Sequence, residues 1–167
     1  MTHRPSTFFV SDTHFFHHNI IVFDETRSYR VFDNIESHNE ELIARWNSVV
    51  HPKDTVWHLG DFSFGNKRNI AIAERLHGKK NLLLGNHDMH PVSEYLVYFN
   101  RVAGVAEYKG AILSHVPVHE SQMTRFKFNV HGHIHERVIP DKRYVNISVE
   151  QTNLFPVTWE WIVGQTQ

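Results

Sequence analysis

Three short apolar runs in this chain each stop abruptly at small or polar residues with chemically capable side chains. Leu82-Leu83-Leu84 breaks into Gly85-Asn86-His87-Asp88, Phe8-Phe9-Val10 into Ser11-Asp12-Thr13-His14, and Val56-Trp57-His58-Leu59 into Gly60-Asp61-Phe62. Val130-His131-Gly132-His133-Ile134-His135 repeats the arrangement with imidazoles. Short apolar runs bounded by turn residues read as buried strands. In open α/β sheets, ligands bind outside the carboxyl ends of such strands. Aspartate, asparagine and histidine gathered at strand tips make a nitrogen–oxygen donor set suited to a metal ion.

The remaining segments fit around these strands. Thr7 to Val10 reads as the first and central strand, and Phe15 to Asp33 as an irregular loop above the sheet, where binding residues tend to sit. A helix is expected to start near Asp33 or Asn34. Asp33 with Glu36 has the capping-box spacing, and Ile35, Leu42, Ile43, Trp46, Val49 and Val50 share a face. Thr55 to Leu59 is the second strand. Ile70, Ala73 and Leu76 mark a second helix ending at Gly78, and Asn81 to Leu84 is the third strand. Pro91 suits the first turn of a third helix, with Val92, Tyr95, Leu96 and Phe99 inward. This β-α-β-α-β-α order is that of helices packed on a parallel sheet. Val102 to Tyr108, Lys109-Gly110 and Ala111 to Leu113 then read as a hairpin. Strands are expected to end at His131 and to cover Tyr144 to Val149. Val157 to Val163 alternates as a half-buried strand with its odd positions apolar.

Composition narrows the classes. At 167 residues, one domain spanning residues 1–167 is expected, with two sheets packed face to face. The formal net charge is −1, and the cationic residues are spread along the sequence, which disfavours polymeric nucleic acid and a polybasic membrane contact. Trp46, Trp57, Trp159 and Trp161 lack interleaved basic neighbours and read as core or interface. The absence of cysteine excludes disulfides and thiolate sites. No signal peptide or apolar span is evident, so a cytoplasmic location with no membrane association is expected. Ten of the fifteen histidines lie outside the strand-tip blocks, so a lone histidine carries little weight; His58 and His131 read as core or supporting residues.

In order, the blocks are Asp12-x-His14, Gly60-Asp61, Gly85-Asn86-His87-Asp88, His115 and Gly132-His133-x-His135. This resembles the calcineurin-like metallophosphoesterases, whose pattern is D-x-H, G-D, G-N-H-[DE], H and G-H-x-H. The resemblance runs from Thr7 to Val149. Asp12-Thr13-His14-Phe15 and His17-x-Asn19-Ile20 are similar to the small single-domain bacterial and phage branch. Gly60-Asp61 continues as Phe62-Ser63-Phe64-Gly65, without the Asp-Arg-Gly segment of the phosphoprotein phosphatases.

The resemblance implies a four-layer α/β/β/α sandwich of two mixed sheets flanked by helices. It also implies hydrolysis of phosphoesters by a hydroxide bridging two divalent transition-metal ions. Sulfur-free donors suit Mn²⁺, Fe, Co²⁺, Ni²⁺ or Zn²⁺, with Mn²⁺ the first choice in an assay. Two such cations roughly 3.5–4 Å apart need an anionic ligand between them, and Asp61 is the candidate. By the same resemblance Asp12, His14 and His135 complete one metal, and Asn86, His115 and His133 the other. His87 protonates the leaving oxygen or binds the phosphoryl group, work suited to an imidazole with an ordinary pKa of about 6.5. Asp88 could orient it.

Alternative readings stand beside these. Asp12, Asp61 and Asn86 could each serve only turn chemistry, and His133 and His135 could be an exposed pair. His17 lines a substrate cleft or packs the loop, and Arg27 and Arg30 reach a phosphate or are simply solvated. The substrate reading is a small phosphodiester, cyclic and other nucleotides included. The alternatives are a phosphomonoesterase, a nuclease of the same fold and a non-catalytic interaction scaffold. Oligomeric state is left open.

Overall fold

The computed structural model describes residues 4–167; Met1, Thr2 and His3, at the start of the segment read as lacking a signal peptide, lie outside the described residues. The strands are β1 (Thr7–Val10), β2 (Thr55–His58), β3 (Lys79–Leu83), β4 (Arg101–Ala103), β5 (Val105–Tyr108), β6 (Ala111–Ser114), β7 (Asn129–His131), β8 (Tyr144–Asn146) and β9 (Val157–Thr158). They form two mixed sheets, ordered β4-β3-β2-β1-β9 and β5-β6-β7-β8. In the first, β1 to β4 are parallel and β9 is antiparallel to β1. In the second, β5 is antiparallel to β6, while β6, β7 and β8 are parallel. The expected α/β architecture of two mixed sheets with helices is the one found.

Strand alternation explains why the sheets pack as they do. Phe8, Val10, Val56 and Leu82 enter the core that the first sheet shares with helix α1 (Ile35–Val49). Their neighbours Phe9, Trp57 and Leu83 point the other way, into a second core with Leu113, Val130 and Val145 of the opposing sheet. Both faces of β1 to β3 are therefore buried. A one-residue slip would exchange every side chain between the two cores, so the register is strongly specified. The same register brings the carboxyl ends of β1, β2 and β3 together.

Several boundaries differ from the sequence reading, each for a local reason. Helix α1 is capped by Asn34, whose side chain accepts the Ser37 N–H at 2.8 Å, and not by Asp33 with Glu36. Lys67–Arg75 is a 3-10 helix, not an α-helix. Buried Ile70 and Ala73, with Leu76 just past its end, recur every three positions, the repeat of a 3-10 turn, and Ile72 is buried beside them. Helix α2 (Val92–Tyr95) is one turn long: Tyr95 and Phe99 are buried, whereas Val92 and Leu96 are exposed. The expected strand from Val102 is split at Gly104, so that β4 and β5 belong to different sheets; the Lys109-Gly110 hairpin turn is present, with both residues at positive φ. After Thr158 the chain turns into helix α3 (Trp159–Gln165) and does not continue as a strand. Thr158 caps that helix by accepting the Trp161 N–H at 3.3 Å, and Ile162 is its buried residue.

Candidate metal centre

The strand tips meet through backbone hydrogen bonds. Asp12 N–H donates to Gly60 O, His14 N–H to Asp61 O and Gly132 N–H to His115 O, at 3.0, 3.0 and 2.9 Å. Asp12, His14, Asp61, His133 and His135 all have positive φ, between 48° and 70°. Aspartate and histidine tolerate this region better than most residues, yet each such residue still costs on the order of 1–3 kcal/mol. Five of them at one locus mark a place where side-chain direction outweighs backbone comfort.

Two glycines make the approach possible. Gly60 has φ 99°, and a Cβ on it would lie 2.6 Å from His115 Nδ1 and 2.7 Å from Gly85 N. A Cβ on Gly132 would collide with the Asp12 carboxylate and the Ser11 hydroxyl. Only a residue without a side chain lets these loops close around the carboxylates.

Asp12 and Asp61, both buried, form the middle of the cluster. The Asp12 carboxylate accepts the Ser148 hydroxyl at 3.0 Å and the His133 N–H at 3.0 Å. Asp61 Oδ1 accepts the His87 N–H at 2.8 Å. Around Asp61 Oδ2 stand His115 Nε2 at 3.3 Å, His14 Nε2 at 3.4 Å and His87 Nε2 at 4.0 Å. His14 and His135 each bring Nε2 to 3.9 Å from Asp12 Oδ1. Two sets have ligand atoms within 4.8 Å of one another: Asp12, His14 and His135, and Asp12, Asp61 and His115. Asn86 Oδ1 lies 3.0 Å from His115 Nε2, and the His133 ring is 5.0 Å from that of His115.

These donors fit a cation. His14 Nδ1 is engaged with His17 Nδ1 at 3.1 Å, which leaves its buried Nε2 facing two carboxylates with no hydrogen-bond partner. An unpartnered buried nitrogen among anionic oxygens is an environment that a bound cation satisfies. Burial, then Arg30 and the surrounding imidazoles, hold His14 well below the usual histidine range. Burial acts the same way on His115, but its hydrogen bond to Asp61 and the charges of Asp12 and Asp61 prevail and raise it to about 9. Burial alone would raise Asp61, yet the His115 hydrogen bond and charge keep it below the ordinary carboxylate value. The carboxylates thus favour a proton on His115, whereas His14 is left neutral with its Nε2 open to a cation.

His87 and His17 stand at the edge of this cluster, on a cleft of about 690 Å³ that also meets His14 and His135. The His87 side chain is 36% exposed. His17 is buried, stacks on Phe64 with ring centres 4.1 Å apart, and is depressed to about 4 by burial and by His87. Both of its sequence readings have a counterpart: it lines the cleft and also packs against Phe23 of its own loop.

Two expectations, for Arg30 and Asp88, need correction, and Arg27 takes the second of its two readings. Arg30 is not on the cleft and not solvated. It is fully buried, donating to Glu150 Oε1 at 2.7 Å and to the Asp12 and Thr13 carbonyls at 2.6 and 3.1 Å, with His38 Nε2 at 3.0 Å. Arg27 is exposed and paired with Asp24 at 3.0 Å, away from the cleft, in keeping with its solvated reading. Asp88 does not orient the His87 ring. Its carboxylate accepts the N–H groups of Asp61, Gly85 and Phe62 at 2.8, 2.9 and 3.0 Å, which ties the second and third strand tips together. Burial raises it to about 6 in spite of those bonds.

Sequence reasoning missed Glu150 and Ser148. Glu150 Oε1 lies 3.0 Å from His135 Nδ1 and is held by Arg30, which fixes the ring so that Nε2 faces Asp12. Burial opposes ionisation of Glu150, but Arg30 and His135 carry it down to about 2. A signal existed: Asn146, Ser148 and Glu150 alternate with Val145, Ile147 and Val149. All three polar residues touch the centre or the His135 backbone.

A profile of the calcineurin-like phosphoesterase family matches residues 6–164. The chain belongs to that family. Similar chains include an uncharacterized protein of Methanocaldococcus jannaschii, 33% identical over 93% of this chain and 88% of its own length. The gene 66 protein of Mycobacterium phage L5 is 31% identical over 80% of this chain and 79% of its own. A crystal structure of an Aquifex aeolicus protein of unknown function superposes with a TM-score of 0.74 and 26% identity, covering 96% of this chain and 99% of that chain. No helix among the described residues is long and apolar enough to cross a membrane.

Proposed function

We propose that this chain is a metal-dependent phosphodiesterase acting on small diesters, cyclic and other nucleotides included. The observation that carries the reading is the pair of buried carboxylates, Asp12 and Asp61, ringed by imidazole nitrogens beside a cleft that His87 also lines. Asp12, His14, His135 and Asp61 would hold one divalent ion, and Asp61, His115, Asn86 and His133 the other. Bound there, the ions would lower the pKa of water and neutralise charge on the phosphoryl oxygens. Mn²⁺ is the proposed ion for assay.

The chain's own groups supply the rest. Hydrolysis adds the oxygen of water to phosphorus and breaks the bond to the departing alcohol. The oxygen of the departing alcohol takes a proton from His87 Nε2, the attacking water loses one to bulk solvent, and His87 regains its proton from solvent. The His87 ring has no described hydrogen-bond partner and sits on the cleft, so it can reach a leaving oxygen. Glu150 and Arg30 hold His135, while Asp88 holds the Asp61 loop.

Size and charge favour a small substrate. The cleft volume is in the range of small-molecule sites. Arg137 is the cationic lysine or arginine on its wall, and Glu25 and Glu136 stand beside it. A polynucleotide track would need a run of cations. The test is turnover with Mn²⁺ of bis(p-nitrophenyl) phosphate and small nucleotide diesters against p-nitrophenyl phosphate and long DNA or RNA. Faster cleavage of the small diesters is expected. A strong monoester preference, or degradation of polymers with no action on small diesters, contradicts the substrate class.

A further inference from the structure

The cleft beside His87 is unequal in its chemistry. His14, His87 and His135 form its reactive end, and none of His115, His133 or Asn86 lines it, so it opens on one side of the centre. Leading away from His87 are Phe64, Phe23 and Ile20. As whole residues Phe64 and Phe23 are 38% and 43% exposed, although each ring lies against His17, one by stacking and the other edge to face at 5.9 Å. Large apolar rings held in place yet left open to solvent inside a concave site are characteristic of ligand contacts. Phe64 also lies 5.6 Å from the His87 ring. The aromatic wall thus adjoins the group proposed to protonate the departing oxygen.

We propose that Phe23 and Phe64 form a leaving-group subsite for a planar, uncharged ring, and that the preferred substrates are monoanionic diesters whose departing alcohol carries one. This rests on the phosphodiesterase reading and deepens it. The side on which the ring binds follows from His87, because the proton donor must adjoin the departing oxygen. That the ring carries no negative charge follows from the rim, where Arg137 is 4.0 Å from Glu136 and Glu25 adds a second carboxylate. A departing group bearing further phosphates would meet those carboxylates, so nucleoside di- and triphosphates are disfavoured as leaving groups. An aryl alcohol carries its ring directly on the oxygen, whereas a nucleoside carries it beyond the sugar.

Binding of inert analogues to the Mn²⁺-loaded protein separates this proposal from turnover. In methyl benzylphosphonate and methyl butylphosphonate, carbon replaces the departing oxygen. Calorimetry should show the benzyl compound binding about tenfold more tightly, the scale of one stacked ring. Phe23→Ala and Phe64→Leu should each reduce that preference, and together bring it below about threefold. Inorganic phosphate affinity, measured in parallel, controls for damage to the centre. A second pair, the methyl ester of a 5′-methylene thymidine phosphonate and its abasic counterpart, reports whether a base reaches the wall across a sugar. Preference for the ring in either pair, lost in the variants, supports the subsite and identifies its carrier. Equal affinity within both pairs, or a preference unchanged in the variants, overturns it whatever the turnover. Ring preference without hydrolysis of any ester overturns the diesterase reading and the leaving-group role, and leaves only the ring-binding site standing.

Discussion

Asp61→Asn should lose bound metal and phosphoester hydrolysis together while keeping its fold. Asp61 Oδ2 is the oxygen on which three imidazole nitrogens converge, at 3.3 to 4.0 Å. An amide there removes the negative charge that two neighbouring cations require between them, and it presents either a weaker oxygen or an N–H to His14 and His115. Metal chemistry at such a site is worth several kcal/mol, so turnover should fall by at least about a thousandfold. The fold should persist, because the tip loops are also held by the Asp88 carboxylate and the backbone bonds from Asp12 and His14. Elemental analysis and circular dichroism of the purified variant check both halves. A fully metallated, active Asp61→Asn protein would remove Asp61 from the bridging position.

His87→Ala should behave differently. The His87 backbone N–H, not its ring, donates to Asp61 Oδ1, so the variant keeps that bond and should keep its metal. Loss of the imidazole should lower turnover by roughly two to four orders of magnitude on a diester with a poor leaving group, the usual scale for general acid catalysis. With p-nitrophenolate departing, which needs little protonation, the loss should shrink. Equal losses on both substrates would assign His87 to positioning or electrostatics.

The contrast between these residues shows how far the sequence could be read. Asp12, His14, Asp61, His115 and His135 were legible because each follows an apolar strand, and a strand's direction fixes where its tip lies. Gly60 and Gly132 were legible for the same reason, and the structure adds that any side chain there would strike a neighbouring tip. Arg30 was misread because its place depends on a partner 120 residues away, Glu150, and nothing local to the Phe15–Asp33 loop announces that contact. Asp88 was misread because its three acceptor bonds go to backbone N–H groups, which any sequence could supply. Trp159 to Val163 alternates like a strand, but the Thr158 cap and the inward Ile162 select a helix. The spread of cations along the sequence also conceals a surface where Lys109, Lys127, Lys142 and Arg143 line one pocket with Trp159, away from the residues of the centre.

The central claim is that the two buried carboxylates and their imidazoles hold a pair of divalent ions. Anomalous diffraction from crystals of the chelator-treated protein soaked in Mn²⁺ tests it most directly. Two peaks are expected, one among Asp12, His14 and His135 and one beside His115, with Asp61 adjoining both. A single peak, peaks away from Asp61, or no bound ion at saturating Mn²⁺ would contradict the account.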